Sequence, residues 1–133
     1  MDNLQKSQLI MAKILEKSME AGVQEWTLKF DDLDLEVDFA SFFYPCLEWL
    51  ESEGLIRVGA YWRTLDGPAS GDVQNVHLTS FGQAALRREV QINGNVEKVS
   101  ETVRKISKEP ASYSRFGDFL GSVLGGFTKS ISS

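Results

Sequence analysis

The chain has 133 residues and a formal net charge of −5, and hydrophobic residues make up 42% of it. This composition predicts one folded domain with its own core and excludes a disordered chain. Cys46 is the single cysteine, which excludes an internal disulfide and a multi-cysteine zinc site. The sequence contains no signal-peptide pattern and no apolar run of the ~18 residues that a membrane span needs, so we expect a cytoplasmic protein.

The charge is unevenly distributed along the chain. Residues 1–56 hold 4 Lys/Arg and 12 Asp/Glu, whereas residues 57–133 hold 10 Lys/Arg and 7 Asp/Glu. The acidic first part is expected to repel nucleic acid, and the basic second part tolerates it. An acidic chain overall is unusual for a DNA-binding protein.

The first elements follow from the spacing of apolar residues. A spacing of three to four predicts an amphipathic helix over residues 4–21, which Gly22 ends. Residues 26–30 are consistent with a short strand. Residues 32–39 alternate apolar and acidic side chains, which favours a half-buried strand with its carboxylates in solvent. A short helix is the alternative for this segment.

The next predicted element is a helix over residues 41–53. Pro45 falls in its first turn, where a missing amide hydrogen costs little, and Gly54 ends it. Cys46 lies on the apolar face of this helix and is expected to be an inert core residue.

A hairpin and a further helix follow. Residues 55–64 and 73–78 are predicted strands, and the segment between them is rich in turn residues. Ser80 and Gln83 are expected to form a capping box for a helix over residues 80–91.

A separate helix is predicted over residues 96–109. Its apolar residues recur at coiled-coil spacing. The helix is expected either to pack on its own domain or to mediate dimerisation, and the pattern leaves both open. The residues concerned are Val96, Val99, Val103 and Ile106.

The C-terminal tail carries an apolar face with glycines every four residues beside it. Glycine weakens a helix by up to ~1 kcal/mol per residue, so this segment is expected to need a surface to bury against. The domain itself, a second copy or, less favoured, a membrane surface are the candidates. The self-association candidates of the tail are Phe116, Phe119, Leu120, Val123, Leu124 and Phe127.

Two phrases of the sequence carry a resemblance to a known family. Glu53-Gly54-Leu55-Ile56 and Leu78-Thr79-x-x-Gly82 stand about 20 residues apart and flank the predicted hairpin. Over roughly residues 4–91 the chain resembles a winged-helix domain, including small bacterial and phage proteins of this kind. The resemblance implies an α+β fold with a winged helix-turn-helix-like domain over residues 1–92. Residues 93–133 lie outside the resemblance, and their own pattern predicts a C-terminal helical extension made of a helix, a linker and an amphipathic Gly-rich tail.

In DNA-binding members of that family, the helix before the Gly-Leu-Ile phrase lies in the major groove. Carried over, this is the helix 41–53, but no Arg or Lys lies between Leu33 and Ile56. DNA affinity comes largely from neutralised phosphates, so the departure disfavours DNA. A dimeric DNA-binding transcriptional regulator stays the alternative. Its DNA-contact candidates are Ser41, Tyr44, Arg57, Arg63, Arg87 and Arg88.

The residues needed for catalysis are scarce. His77 is the only histidine and is interpreted as structural, and no phosphate loop or nucleophile motif occurs. We therefore predict no enzyme, no cofactor and no metal. The prediction is a non-catalytic regulatory or protein-interaction module whose partner is another protein or a second copy. Its contact candidates are Tyr44, Glu48, Trp49 and Glu51.

Overall fold

A computed structural model describes residues 1–92 and 94–109. Helix α1 spans Asn3–Ala21, as its apolar spacing predicts. Asp2 begins it with a capping box, because its carboxylate accepts from the Gln5 amide at 2.8 Å while the Gln5 side chain accepts from the Asp2 amide at 2.9 Å. Gly22, with φ of 66°, ends it. The buried face includes Leu9, Ile10, Ala12, Ile14 and Leu15.

Residues 30–42 form two 3₁₀ helices, Phe30–Leu33 and Val37–Phe42, so the strand predicted over residues 32–39 is wrong. The Asp32 carboxylate accepts from the Lys29 amide at 2.8 Å. Such local bonds from aspartate compete with a strand ladder. Burial does not follow the alternation either, because Leu33 is buried while Val37 is 84% exposed.

The sheet has three antiparallel strands in the order β1-β3-β2. Strand β1 is Thr27–Leu28, β2 is Ile56–Arg63 and β3 is Gly71–Leu78. β2 and β3 form the predicted hairpin, with a register that runs from Ile56↔Leu78 to Arg63↔Gly71. β1 pairs with the other side of β3.

Helix α2 spans Phe43–Ser52, and Pro45 lies in its first turn as predicted. Its apolar side contributes Phe43, Cys46, Leu47 and Leu50 to the core. Helix α3 spans Ser80–Arg87 and ends before the predicted residue 91. Its N-cap is Thr79, which accepts from the Gly82 amide, so the capping box predicted at Ser80 is wrong. Glu89–Ile92 instead forms strand β4, which pairs with β5 (Asn95–Lys98).

Helix α4 spans Val99–Lys108 and packs on α1. Val99, Val103 and Ile106 are at most 2% exposed, so they cannot form the self-association surface that the sequence left open. Polar contacts join the same two helices, since Lys13 Nζ donates to the Ser107 carbonyl at 2.9 Å. Val96 lies in β5, outside the helix, and is 59% exposed.

The architecture is α+β, with one core shared by α1, α2, the three-stranded sheet and α4. α4 therefore belongs to the same packed unit as the residues before position 92. Within residues 1–92 and 94–109, no helix is both long and apolar enough to cross a membrane. The tail candidates Phe116, Phe119, Leu120, Val123, Leu124 and Phe127 lie outside the described residues.

Candidate functional site

Tyr44 is fully buried, so its prediction as an exposed contact residue is wrong. Its hydroxyl donates to the Ser70 carbonyl at 2.8 Å, and its ring packs edge-on against Phe43 at 4.9 Å. A buried tyrosine is stable where its hydroxyl finds an acceptor, and the hairpin loop supplies one here. Neither a DNA groove nor a protein partner can reach this side chain.

Glu51 ties α2 to the hairpin. Its carboxylate accepts from the Tyr61 hydroxyl at 3.2 Å and from the Val58 amide at 3.3 Å. Burial, and then the nearby Glu51 carboxylate, raise the pKa of Tyr61 well above its ordinary value, so the phenol keeps the proton that it donates. The structure thus gives Glu51 an internal role that competes with partner binding.

The two other predicted contact residues on α2 differ in exposure. Glu48 is exposed, whereas Trp49 is half-buried and packs against the core. Pro45 and Ser52 are also exposed on this helix. The accessible side of α2 therefore offers a carboxylate and small groups, and it carries no cation.

The hairpin cations Arg57 and Arg63 lie on opposite faces of the β2-β3 hairpin. In a regular strand, residues that are five positions apart point to opposite faces of the sheet. Ile56 and Tyr61 both face the core, so the alternation of side-chain directions reverses once between them, which we call a change of phase. The change coincides with Asn75 on β3, whose φ of 54° is left-handed. The guanidinium group of Arg63 therefore lies over the Tyr44 ring, with its Cζ atom 4.4 Å from the ring centroid. Arg57 is exposed on the other face of the hairpin.

The remaining DNA-contact candidates lie on other elements. Ser41 is exposed in the second 3₁₀ helix. Arg87 and Arg88 are exposed at the end of α3, and the Arg88 carbonyl accepts from the Val99 amide at 2.8 Å. The structure thus brings Tyr44 and Arg63 together, but it buries one and stacks the other on it.

A cleft that the sequence did not predict lies between the 3₁₀ helices and the hairpin loop. We call it the hairpin cleft, and its volume is about 490 Å³. Exposed Val37 lies at this cleft, together with Lys29 and two acidic residues of its wall, Asp31 and Asp66. Its apolar lining includes Phe30, Leu35, Ala40, Pro68 and Ala69.

Most carboxylates around the hairpin cleft are unpaired. Among the residues that the structure describes, the side chains of Asp31, Glu36 and Asp66 make no ion pair or hydrogen bond. Asp38 differs, because Lys6 contacts it at 3.0 Å and this hydrogen bond holds the pKa of Asp38 below its ordinary value. The sequence pattern does not signal this cleft, because alternation assigned Val37 to a buried face, whereas the structure exposes it.

The reactive side chains are held in structural contacts. Burial raises the pKa of Cys46 to about 11, so its thiol stays protonated at neutral pH. His77 Nε2 lies 2.7 Å from the Gln24 carbonyl. In residues 1–92 and 94–109, no three His, Cys, Asp or Glu side chains converge in a way that holds a metal ion.

Comparisons of the chain with protein-family models, with curated proteins and with solved structures gave no match. The function therefore has to be argued from the site itself.

Proposed function

We propose that this chain is a non-catalytic protein-interaction module on a winged-helix scaffold. The scaffold is supported by the order of elements, because a helix, a short strand, helical turns, α2 and a hairpin follow one another. The hairpin joins the two sequence phrases on which the resemblance rests. On this scaffold the hairpin cleft lies between the wing and the helical turns before α2.

The hairpin cleft carries the functional proposal. It combines an apolar lining and 84%-exposed Val37 with the unpaired carboxylates of Asp31 and Asp66, and Glu36 adds a third beside Val37. Lys29 also lines the cleft, so the charge around it is predominantly, but not wholly, negative. Exposed apolar groups with a predominance of one sign of charge around them are typical of protein-binding surfaces. The matching partner is a protein segment that carries apolar side chains flanked by Lys or Arg.

The same features argue against α2 as a DNA-reading helix. Phosphate neutralisation dominates DNA affinity, and the accessible side of α2 presents Glu48 without a cation. Arg57 and Arg63 lie on opposite faces of the hairpin, so one DNA backbone cannot contact both. DNA binding is therefore the alternative, which a binding measurement with duplex DNA tests.

The experiment selects peptides from a random display library on the full chain and measures their binding by fluorescence anisotropy. We expect the selected peptides to combine Lys or Arg with apolar residues. Asp31→Asn/Asp66→Asn, which neutralises the two carboxylates of the cleft wall, should weaken their binding about tenfold, which corresponds to ~1.4 kcal/mol. Glu25→Gln/Glu101→Gln is the matched control, because it makes the same charge change at exposed sites away from the cleft.

Two results would contradict the proposal. Selected peptides without basic residues, or equal weakening by the cleft and control variants, would exclude the hairpin cleft as the binding site. Binding to random duplex DNA at low salt that weakens steeply as salt rises would favour the DNA regulator instead.

A further inference from the structure

A second cavity lies on another part of the molecule, between the C-terminal end of α1, the end of β3, α3 and α4. We call it the arginine groove, and its volume is about 320 Å³. Its lining is mainly apolar, and Ser18, Gln83 and Ser100 add polar atoms. The apolar side chains are Met19, Val23, Leu78 and Leu86.

Two arginines from different helices meet at this groove. Arg87 ends α3 and Arg104 lies in the middle of α4, and both are exposed. Within the described part of the chain, neither guanidinium forms an ion pair or a hydrogen bond. Two cations beside an apolar lining, without a carboxylate on the groove wall, leave an unbalanced positive charge there.

The groove has one possible internal use for this charge. The C-terminal end of α1 contributes Ser18, Met19 and Gly22 to the wall, and its last turn contains no basic residue. Because cations stabilise the negative end of a helix, stabilisation of α1 is the alternative role of Arg87 and Arg104. A role limited to α1 would affect stability alone, which a binding measurement distinguishes from ligand recognition.

We propose that the arginine groove binds an amphipathic anion, in particular a carboxylate on an alkyl chain. Guanidinium groups pair with carboxylates through two parallel hydrogen bonds, so Arg87 and Arg104 would hold the head group. Met19, Leu78 and Leu86 would contact the chain, and methionine adapts to flexible apolar ligands. A volume of about 320 Å³ is at the small end of ligand cavities, so a short chain fits best.

The test uses the full chain and the fluorescent anion 1-anilinonaphthalene-8-sulfonate, with decanoate as the competitor. We expect the dye to bind and decanoate to displace it. Arg87→Gln/Arg104→Gln should raise the Kd of both at least about tenfold, because each charged hydrogen bond contributes substantially to binding. Arg57→Gln/Lys108→Gln removes two exposed positive charges elsewhere and should leave both Kd values unchanged.

A second variant keeps both arginines and places a bulky side chain in the wall of the groove. Ser100 is half-buried in the groove wall, so Ser100→Trp should abolish displaceable dye binding while circular dichroism shows a folded chain. Decanol and inorganic phosphate test the two halves of the ligand separately. We expect both to compete at least about tenfold more weakly than decanoate.

Several results would overturn the proposal. Decanol that competes as well as decanoate would show an apolar cavity without anion recognition, and phosphate that competes as well would show an anion site without an apolar part. Unchanged Kd values in Arg87→Gln/Arg104→Gln, with a lowered Tm, would restrict the two arginines to stabilising α1. None of these results depends on the hairpin cleft, so the proposed peptide-binding function is tested separately.

Discussion

Asn75 shows how one residue determines which side chains each face of the β2-β3 hairpin presents. Its φ of 54° is a left-handed conformation, which asparagine adopts more readily than other side chains do. The side-chain Oδ1 atom of Asn75 accepts from the Trp26 backbone amide at 2.9 Å, and the backbone amide of Asn75 donates to the Trp26 carbonyl at 2.8 Å. Because the hairpin changes phase near this residue, Arg57 and Arg63 lie on opposite faces.

Two substitutions at Asn75 separate the backbone conformation from the hydrogen bond. Asn75→Ala loses the bond to Trp26 and strains the left-handed backbone, so it should lower the free energy of unfolding by about 2–3 kcal/mol. Asn75→Gly loses the bond but tolerates the conformation, and about 1 kcal/mol is expected. Urea unfolding measures both, and equal losses would show that the conformation costs nothing.

Glu97 gives a residue-scale prediction about pH. The Lys105 ammonium at 2.7 Å, and then the Thr102 hydroxyl, hold the pKa of Glu97 below its ordinary value of 4.5. A lowered pKa in the folded state stabilises the fold above that ordinary value, and the stabilisation is lost as pH falls through the folded pKa. The difference in unfolding free energy between wild type and Glu97→Gln should therefore be constant near neutral pH and shrink below about pH 4.5.

The linkage prediction is checked by urea unfolding at a series of pH values and by NMR titration of the carboxyl carbons. Lys105→Gln should raise the pKa of Glu97 in the NMR titration, because it removes the charged partner. A Glu97→Gln difference that does not change with pH would contradict the assignment of this stabilisation to the ionised carboxylate.

At the scale of elements, the two sequence phrases that flank the hairpin contact each other. Thr79 Oγ1 donates to the Gly54 carbonyl and also accepts from the Gly82 amide at 2.9 Å, which caps α3. Gly82 packs so closely on the start of the hairpin that a Cβ atom there would lie 2.1 Å from the Leu55 carbonyl oxygen. Thr79 and Gly82 therefore fix α3 against the end of α2.

Gly82→Ala tests this close approach. The backbone of Leu55 has to move to admit the methyl group, so we expect a loss of about 1–3 kcal/mol despite the better helix propensity of alanine. Gly67→Ala is the control, since a Cβ atom at this position would have no neighbour within 4 Å and its effect should stay within about 0.5 kcal/mol. Chemical denaturation of both variants gives the comparison, and equal effects would contradict the packing argument.

The elements that sequence could predict are those whose pattern and whose end signals agree. α1 and the hairpin have apolar periodicity bounded by caps or turn residues, and both were predicted nearly to the residue. The segment 32–39 has the period of a strand, but Asp32 bonds to local backbone and the segment does not pair with the sheet. Periodicity cannot reveal such a competition, because only the assembled sheet determines which strands find a partner.

The site was less predictable than the elements, for reasons that belong to tertiary structure. The sequence shows that acidic residues are concentrated in the first part of the chain. It does not show the hairpin cleft, which forms only because the loop at Pro68 lies close to Val37 in the folded chain. Tyr44 has a polar hydroxyl that suggests exposure, and the Ser70 carbonyl that permits its burial lies 26 positions away. The arginine groove similarly joins Arg87 and Arg104 from two helices whose packing the sequence left open.

At the scale of the whole molecule, one core connects the first and the last described helices. Ile106 on α4 is 2% exposed and belongs to the same cluster of buried residues as Ile10 and Ile14 on α1. α4 follows the small β4-β5 hairpin in the chain and packs against α1. Because a ten-residue helix is marginal alone, its stability has to come from this packing, and the rest of the core in turn depends on α4.

Ile106→Ala tests whether α4 and the sheet unfold together. Removing a buried isoleucine side chain should cost about 2–5 kcal/mol. Trp26, Trp49 and Trp62 all lie outside α4, so their fluorescence reports on the remainder of the fold. If the core is one cooperative unit, the fluorescence and circular-dichroism transitions shift together to lower urea with an unchanged m value.

The exposed Val96 on the neighbouring strand provides the control, because Val96→Ala should leave the urea midpoint nearly unchanged. A fluorescence transition that stays in place while circular dichroism reports early loss of helix would mean that α4 unfolds as a separate unit. The arginine groove would then open before the hairpin cleft is lost, because Arg104 and Ser100 both belong to α4. A single shared transition would instead tie both cavities to the same folding equilibrium, so that a ligand of either one stabilises the other.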